Sequence, residues 1–318
     1  MRMQRGVVAL VVICLSVVFF TDTTTQAQLS EAARGAIRIE NTYEVTPDIT
    51  YHVANNYEAK LDVYRPNSAK NPVPVVMVIH GGGWIEGKKE ESALWLLPYL
   101  EMGFAVVNIE YRLAKISLAP ASVEDCLCAL HWIGRNAKKY NFDLNKVILT
   151  GGSAGGHLAL TTAMIPSSAG FENECAYDDP NWTGPATDAR PNVAAVINWF
   201  GITDVADMLH GPNERAYAVA WLGSVADRED LAKRVSPLTY VRAGIPPILT
   251  VHGDSDKTVP YSNATRLHEA LNKAGVKNQL VTIRGGDHGD FNPEQELQAY
   301  EAIHGFLTSL GITRGAGK

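Results

Sequence analysis

Long blocks of like charge are absent from this chain of 318 residues, of which 19% are charged and whose formal net charge is −6. A nucleic-acid partner is therefore not expected, since no basic stretch supplies the phosphate contacts such binding needs. Internal repeats of about 20 to 50 residues are also missing, which excludes solenoids and propellers. No CxxC or HExxH spacing occurs, so no metal is expected. What is present, 46% hydrophobic residues with ordinary amounts of Gly and Pro, is the composition of one large buried core.

Only one apolar run is long and uninterrupted. Arg2 and Arg5 precede "GVVALVVICLSVVFF" at residues 6–20, and "TQA" offers a small-residue cleavage site after Ala27. The run is short against the roughly 20 residues of a spanning helix. Residues 1–27 are read as a secretory signal peptide, with export to the periplasm or medium and no stable membrane insertion after cleavage. Ile13 before Cys14 is too large for a lipoprotein signal. Cleavage removes two Arg and one Asp, taking the net charge from −6 to −7. Cysteine is scarce, and Cys126, Cys128 and Cys175 remain. Cys126 and Cys128 diverge on a helix and cannot bridge each other. All three are read as buried small apolar residues, with a bridge from Cys175 to one of the others as the alternative.

Strand-like and helix-like runs alternate through the rest. "KLDVYRP", "VPVVMVIH", "AVVNIEYRL", "KVILTGG", "VAAVINWF", "PPILTVHG" and "QLVTIRGG" read as strands. "SALWLLPYLEMG", "SVEDCLCALHWIGRNAKKY", the stretch after Ser153, "NATRLHEALNKAG" and "EQELQAYEAIHGFLTSL" read as helices. Continuous apolar strands between helices imply a mostly parallel α/β sheet covered on both faces, here a single domain over residues 28–318. Residues 166–191, rich in Pro, Gly, Asp and Asn, break the rhythm. They read as a lid-like insertion passing near the strand ends where ligands bind.

"VILTGGSAGGHLAL" puts Ser153 at a strand-to-helix corner between pairs of glycines. A nucleophile projecting from such a corner strains its own backbone, and side chains two residues either side would strike neighbouring chain, so glycine is required. Gly151, Gly152, Ser153, Ala154 and Gly155 satisfy G-x-S-x-G in its strand-then-helix context. "HGGGW", His80 to Trp84, follows an early strand and lets backbone N–H groups reach a substrate carbonyl. The N–H groups of Gly82, Gly83 and Ala154 are the candidate oxyanion donors, with Trp84 a candidate substrate contact.

An activated serine needs a base and a group that orients it. Among nine histidines, His131, His268 and His304 fall in helices, His80 and His157 brace the glycine motifs, and His252 ends a strand. His288 stands in a glycine-flanked loop after the last strand and follows the chain order Ser, acid, His. For the acid, the residues leave Asp254 and Asp256 both open, while Asp287 and Asp290 are too close to His288 in sequence.

The ordered set "LDVYRP", "HGGGW", "YRLA", "GGSAGGHLA", "SPLTYV", "PPILTVHGDSDKTVP" and "GGDHG" resembles the α/β-hydrolase esterases of the bacterial acetyl-xylan and feruloyl esterase-like group. That group is related to hormone-sensitive-lipase-like esterases and kynurenine formamidase. The resemblance implies an α/β-hydrolase fold and a cofactor-free serine esterase acting on acetyl or feruloyl esters of polysaccharide or on small esters. It also implies Asp256 as the acid and His288 as the base. Gly152 departs from the Asp common in the lipase-like elbow. Alternatives are an arylformamidase and an inactive hydrolase used as a binding module. Two sequons, at Asn181 and Asn263, complete the motifs.

Overall fold

A computed structural model describes residues 30–173, 175 and 190–313. The N-terminal half contains α1 (Glu31–Thr42), β1 (Tyr43–Ala54), β2 (Tyr57–Pro66), β3 (Val73–Ile79), α2 (Leu97–Glu101), β4 (Ala105–Ile109) and α3 (Ala121–Tyr140). The remainder contains β5 (Phe142–Gly152), α4 (Ala154–Met164), β6 (Val193–Trp199), α5 (Ala216–Leu222), α6 (Arg228–Arg234), β7 (Ile248–Gly253), α7 (Ser262–Lys273), β8 (Asn278–Ile283) and α8 (Pro293–Ser309). The strands form one sheet in the order β1-β2-β4-β3-β5-β6-β7-β8. Only the β1/β2 and β2/β4 pairs are antiparallel; the others are parallel.

The apolar run of β3 shows why the sheet is sandwiched. Side chains alternate across a strand, so Val75, Met77 and Ile79 join one cluster with Leu127 and Leu130 of α3, Leu158 of α4 and Leu267 of α7. Val76 and Val78 face the other way, toward Tyr99 and Leu100 of α2 and Ile303 and Phe306 of α8. Both faces of the strand are dry, so both must be apolar. Parallel register then brings Ile79 opposite Gly151, Gly152 opposite Trp199 and Gly253 opposite Ile283. The loops after β3, β5, β7 and β8 therefore emerge along one edge, where ligands bind in sheets of this kind.

Three stretches differ from the sequence reading. α1 and β1 had no counterpart in it; β1 pairs along β2 and widens the sheet by an antiparallel strand. Residues 92–103 are not one helix but a 3₁₀ segment, Lys89–Leu96, followed by the five-residue α2 with Pro98 in its first turn. Proline lacks the N–H that would continue the preceding turn and starts a new helix instead. α5 and α6 have seven residues each, too few to show a 3.6-residue period.

The two ends of residues 166–191 are placed by the fold. α4 starts at the Ser153 corner and runs away from it, so the chain leaves Met164 at the opposite edge of the sheet and re-enters there at Val193. Ile165, Pro166, Arg190 and Pro191 line a groove on that edge with Pro246 and Pro247. Arg190 donates to Thr162 O and Ile165 O at 2.9 and 3.0 Å, satisfying carbonyls that the end of α4 leaves open. The anchored ends thus sit away from Ser153. Residues 174 and 176–189, which form the body of the insertion and include Asn181 and Trp182, lie outside the described residues, as does the signal segment at residues 1–27.

Cys128 and Cys175 form a disulfide that ties this segment to α3, so the reading of all three cysteines as free apolar fillers is overturned for two of them. Cys126 is free and buried, and burial pushes its thiol well up. Asn263 is a poor glycan acceptor: it is 1% exposed, and its side-chain oxygen accepts from Thr203 N at 2.9 Å. In the chain-entropy account, a bridge between cysteines 47 residues apart stabilises by about 4 kcal/mol. Cys175→Ser is accordingly expected to lower the melting temperature by roughly 10 °C in differential scanning calorimetry. An unchanged melting temperature would contradict the bridge.

Candidate active site

Ser153 sits at φ 56°, ψ −122°, a conformation that few L-residues adopt. The reason lies in how closely the corner meets β3. A Cβ on Gly151 would stand 2.5 Å from both Ile79 O and Gly155 C, and one on Gly155 would run into the carbonyl oxygens of Ile79 and His80. Backbone packs on backbone with no room for a methyl group. Ser153 N donates to Trp199 O at 2.9 Å, and Ser153 O accepts from His157 N at 3.0 Å as α4 begins.

Two loops bring the partners. His288 Nε2 is 2.9 Å from Ser153 Oγ, and its Nδ1 is 2.8 Å from Asp256 Oδ2. Asp256 Oδ1 is occupied by the N–H groups of Thr258 and Val259, each at 2.8 Å, which fixes the carboxylate plane and leaves Oδ2 for the ring. With Nδ1–H donated to Asp256, Nε2 presents its lone pair to the serine hydroxyl. Burial acts to raise the Asp256 carboxyl, but the hydrogen bonds from His252 and His288, the attraction to the protonated form of His288 and the Val259 N–H outweigh it. The carboxyl is held well below the usual carboxylate range. Of the two acids the sequence left open, Asp254 is exposed and accepts from Gly285 N at 2.7 Å, a loop tie and not a partner of His288. Asp287 likewise shapes the turn, accepting from Lys257 N and His288 N at 3.0 and 2.9 Å.

Opposite the histidine, Gly82 and Gly83 line the same cavity as Ser153. Gly82 needs its φ of +105°, because there a Cβ would collide with Glu86 O. Ile85 N and Glu86 N both donate to Gly82 O at 3.0 Å, closing the turn. His80, stacked on Tyr111 at 4.2 Å, braces its base, and Tyr111 Oη donates to His80 O and Gly81 O at 3.1 and 3.2 Å. Ala154 is the first residue of α4, where N–H groups lack intrahelical partners and the helix end is electropositive.

Trp84 does not touch this cavity. It is fully buried, stacked on Trp221 at 4.2 Å, and its indole N–H donates to His157 Nδ1 at 3.1 Å. His157 Nε2 in turn donates to Val235 O at 2.7 Å. The substrate role assigned to Trp84 is therefore overturned: the left-handed turn at φ 63° swings the ring under the loop and into the core. Burial holds His157 neutral, with a pKa of about 3 against an ordinary 6.5.

The aromatic walls come from Trp95, Phe200 and Tyr217, which the motifs did not mark, with Glu86 and Glu91 exposed near the mouth of a cavity of about 480 Å³. Phe200 meets the His288 ring edge-on at 4.8 Å, and a Cβ on Gly152 would stand 2.9 Å from Trp95. Trp95 reads in sequence as one more apolar helix residue. Phe200, directly after a strand's C-terminal end, carried the only usable signal. Among the described residues, no group of three or more His, Cys, Asp or Glu side chains is placed to hold a metal ion, and no helix is long and apolar enough to cross a membrane.

A strained serine after a central parallel strand, reached by a histidine from the last strand's loop, is the arrangement of the α/β hydrolases, and solved structures of esterases share this chain's fold. A truncated carbohydrate esterase from gut microbiota has a TM-score of 0.69 at 28% identity, covering 85% of this chain and 98% of its own. Esterase 2 of Thermogutta terrifontis with bound propionate has a TM-score of 0.69 at 25% identity, covering 87% and 97%. Within that class, residues 61–271 match the BD-FAE family model, and the chain belongs to that family. Among curated relatives, Esterase LipQ of Mycobacterium tuberculosis is 29% identical over 279 residues, 85% of this chain and 63% of LipQ. Isoprenylcysteine alpha-carbonyl methylesterase ICME of Arabidopsis thaliana is 26% identical over 247 residues, 75% of this chain and 56% of ICME. The matches thus span roughly three fifths of these relatives' lengths.

Two outcomes follow from the buried Trp84–His157 pair. Trp84→Ala is expected to cost about 3 to 5 kcal/mol in urea unfolding, while KM for a small ester stays unchanged in the folded fraction; a raised KM with unaltered stability would restore the substrate role. For pH, unfolded chain protonates His157 near 6.5 whereas folded chain keeps it neutral to about 3. The unfolded state binds more protons between those values, so stability falls as pH drops below 6.5. Urea titrations from pH 7 to 4 should show that slope, flattened in His157→Gln.

Proposed function

We propose that the chain is a serine carboxylic-ester hydrolase working through an acyl-enzyme. The observation that carries this reading is the unbroken line of contacts from Ser153 Oγ through His288 to Asp256 Oδ2, at 2.9 and 2.8 Å. Ser153 Oγ attacks the ester carbonyl as its proton passes to His288 Nε2. Asp256 keeps the ring in the needed tautomer and stabilises its protonated form. Negative charge developing on the carbonyl oxygen meets the N–H groups of Gly82, Gly83 and Ala154, each worth on the order of 3 kcal/mol in comparable sites. His288 then returns the proton to the departing alcohol and activates the water that frees the enzyme.

The substrates we propose are acetyl or feruloyl esters of plant polysaccharide, or related small esters. Membership of the BD-FAE family, the carbohydrate esterase among the structural neighbours and the aromatic walls at Trp95, Phe200 and Tyr217 support this. We further propose that the protein acts outside the cytoplasm, which fits both the apolar, cleavable N-terminus and the Cys128–Cys175 bridge.

Release of acetate and ferulate from acetylated xylan and feruloylated arabinoxylan, beside p-nitrophenyl acetate and N-formylkynurenine, tests both levels. Wild type should turn over the polysaccharide esters, with activity lost in Ser153→Ala and kcat lowered roughly 10⁴-fold in Asp256→Asn. Retained activity in Ser153→Ala would remove the serine mechanism. Turnover of p-nitrophenyl acetate alone would remove the polysaccharide assignment, and preference for N-formylkynurenine would replace it.

A further inference from the structure

We propose that His252 is a second imidazole on the acid of the triad, a positioning residue that fixes Asp256 and limits how tightly it grips the protonated form of His288. The inference rests on the esterase reading above. His252 ends β7, and its side chain is fully buried. Its Nε2 lies 3.0 Å from Val259 O, which can only accept, so Nε2 carries the ring proton. The same nitrogen is 3.2 Å from Asp256 Oδ2, the oxygen that also faces His288 Nδ1. The other ring nitrogen, Nδ1, is buried with no partner among the described residues. Nε2–H is thereby held between Val259 O and Asp256 Oδ2 as a fixed donor. Val259 is fastened twice, its N–H to Asp256 Oδ1 and its carbonyl by His252, and the Tyr261 ring meets the imidazole edge-to-face at 5.6 Å. An oxygen shared between two N–H donors is a weaker partner for either than one serving a single donor.

The test compares two replacements. His252→Leu removes the donor, whereas His252→Gln sets an amide N–H where Nε2 stands. The other ionisable groups near the triad, Tyr217, Arg215, Asp254, Tyr261, the Lys257–Asp287 pair at 3.4 Å, and Glu86 and Glu91 of the cavity, are the same in every variant. In His252→Leu, the acidic limb of kcat/KM for p-nitrophenyl acetate is expected to move to higher pH by roughly half a unit or more. Its plateau kcat should fall about tenfold with KM unchanged, and His252→Gln should return both toward wild type. If the Leu protein fails to fold, His252→Asn, too short to reach Oδ2, replaces it in the same comparison. An unmoved limb in the donor-free variant, or an equal shift in the Gln variant, would overturn the proposal while wild-type turnover left the esterase reading standing. Absence of turnover in wild type would instead overturn the esterase reading itself.

Discussion

Everything at the catalytic edge depends on one close approach of backbone to backbone, where Gly151 and Gly155 meet the end of β3. That contact leaves no room for a side chain on either flank of Ser153, and it holds the serine at a positive φ that an unsupported chain would abandon. The strain is sustained by a sheet whose central strands are buried on both faces. β3 and β5 cannot slide without exposing two apolar faces at once, so the hydrophobic pattern of the strands fixes the position of the nucleophile.

Around that corner, the polar groups face the opposite problem, because a carboxylate taken out of water must be surrounded by donors. Asp256 receives Thr258 N and Val259 N on one oxygen and faces His288 and His252 on the other. This solvation by fixed dipoles keeps the acid charged in a nearly dry place. The same logic explains His157, where burial is answered by leaving the ring neutral and using one nitrogen as donor and the other as acceptor. His157 and His252 each have a tautomer dictated by their neighbours.

How much of this was legible in the sequence follows from the range of each interaction. Ser153 and its glycines report on contacts within a few residues and one neighbouring strand, so G-x-S-x-G carried its own meaning, as did the long apolar strands β3 to β5. The choice of Asp256 over Asp254 needed the family resemblance, since both lie in one turn and differ only in which way they face. Trp84 was misread because the backbone sign that turns it inward is a property of the folded loop, invisible in its letters. Trp95 and Phe200 were passed over for a related reason: an aromatic residue lining a cavity has the same local pattern as one filling a core. Where residues 166–191 leave and re-enter the sheet was not legible, because loop composition does not say at which edge of a sheet a loop begins.

The central claim is that the Ser153 hydroxyl is the activated nucleophile of this edge. Intact-mass and peptide-level mass spectrometry after brief exposure to a fluorophosphonate tests it most directly. The expected result is one adduct per chain, on the peptide bearing Ser153, absent in Ser153→Ala and formed far more slowly in Asp256→Asn. No adduct on folded wild-type protein, or an adduct on another residue, would contradict the account.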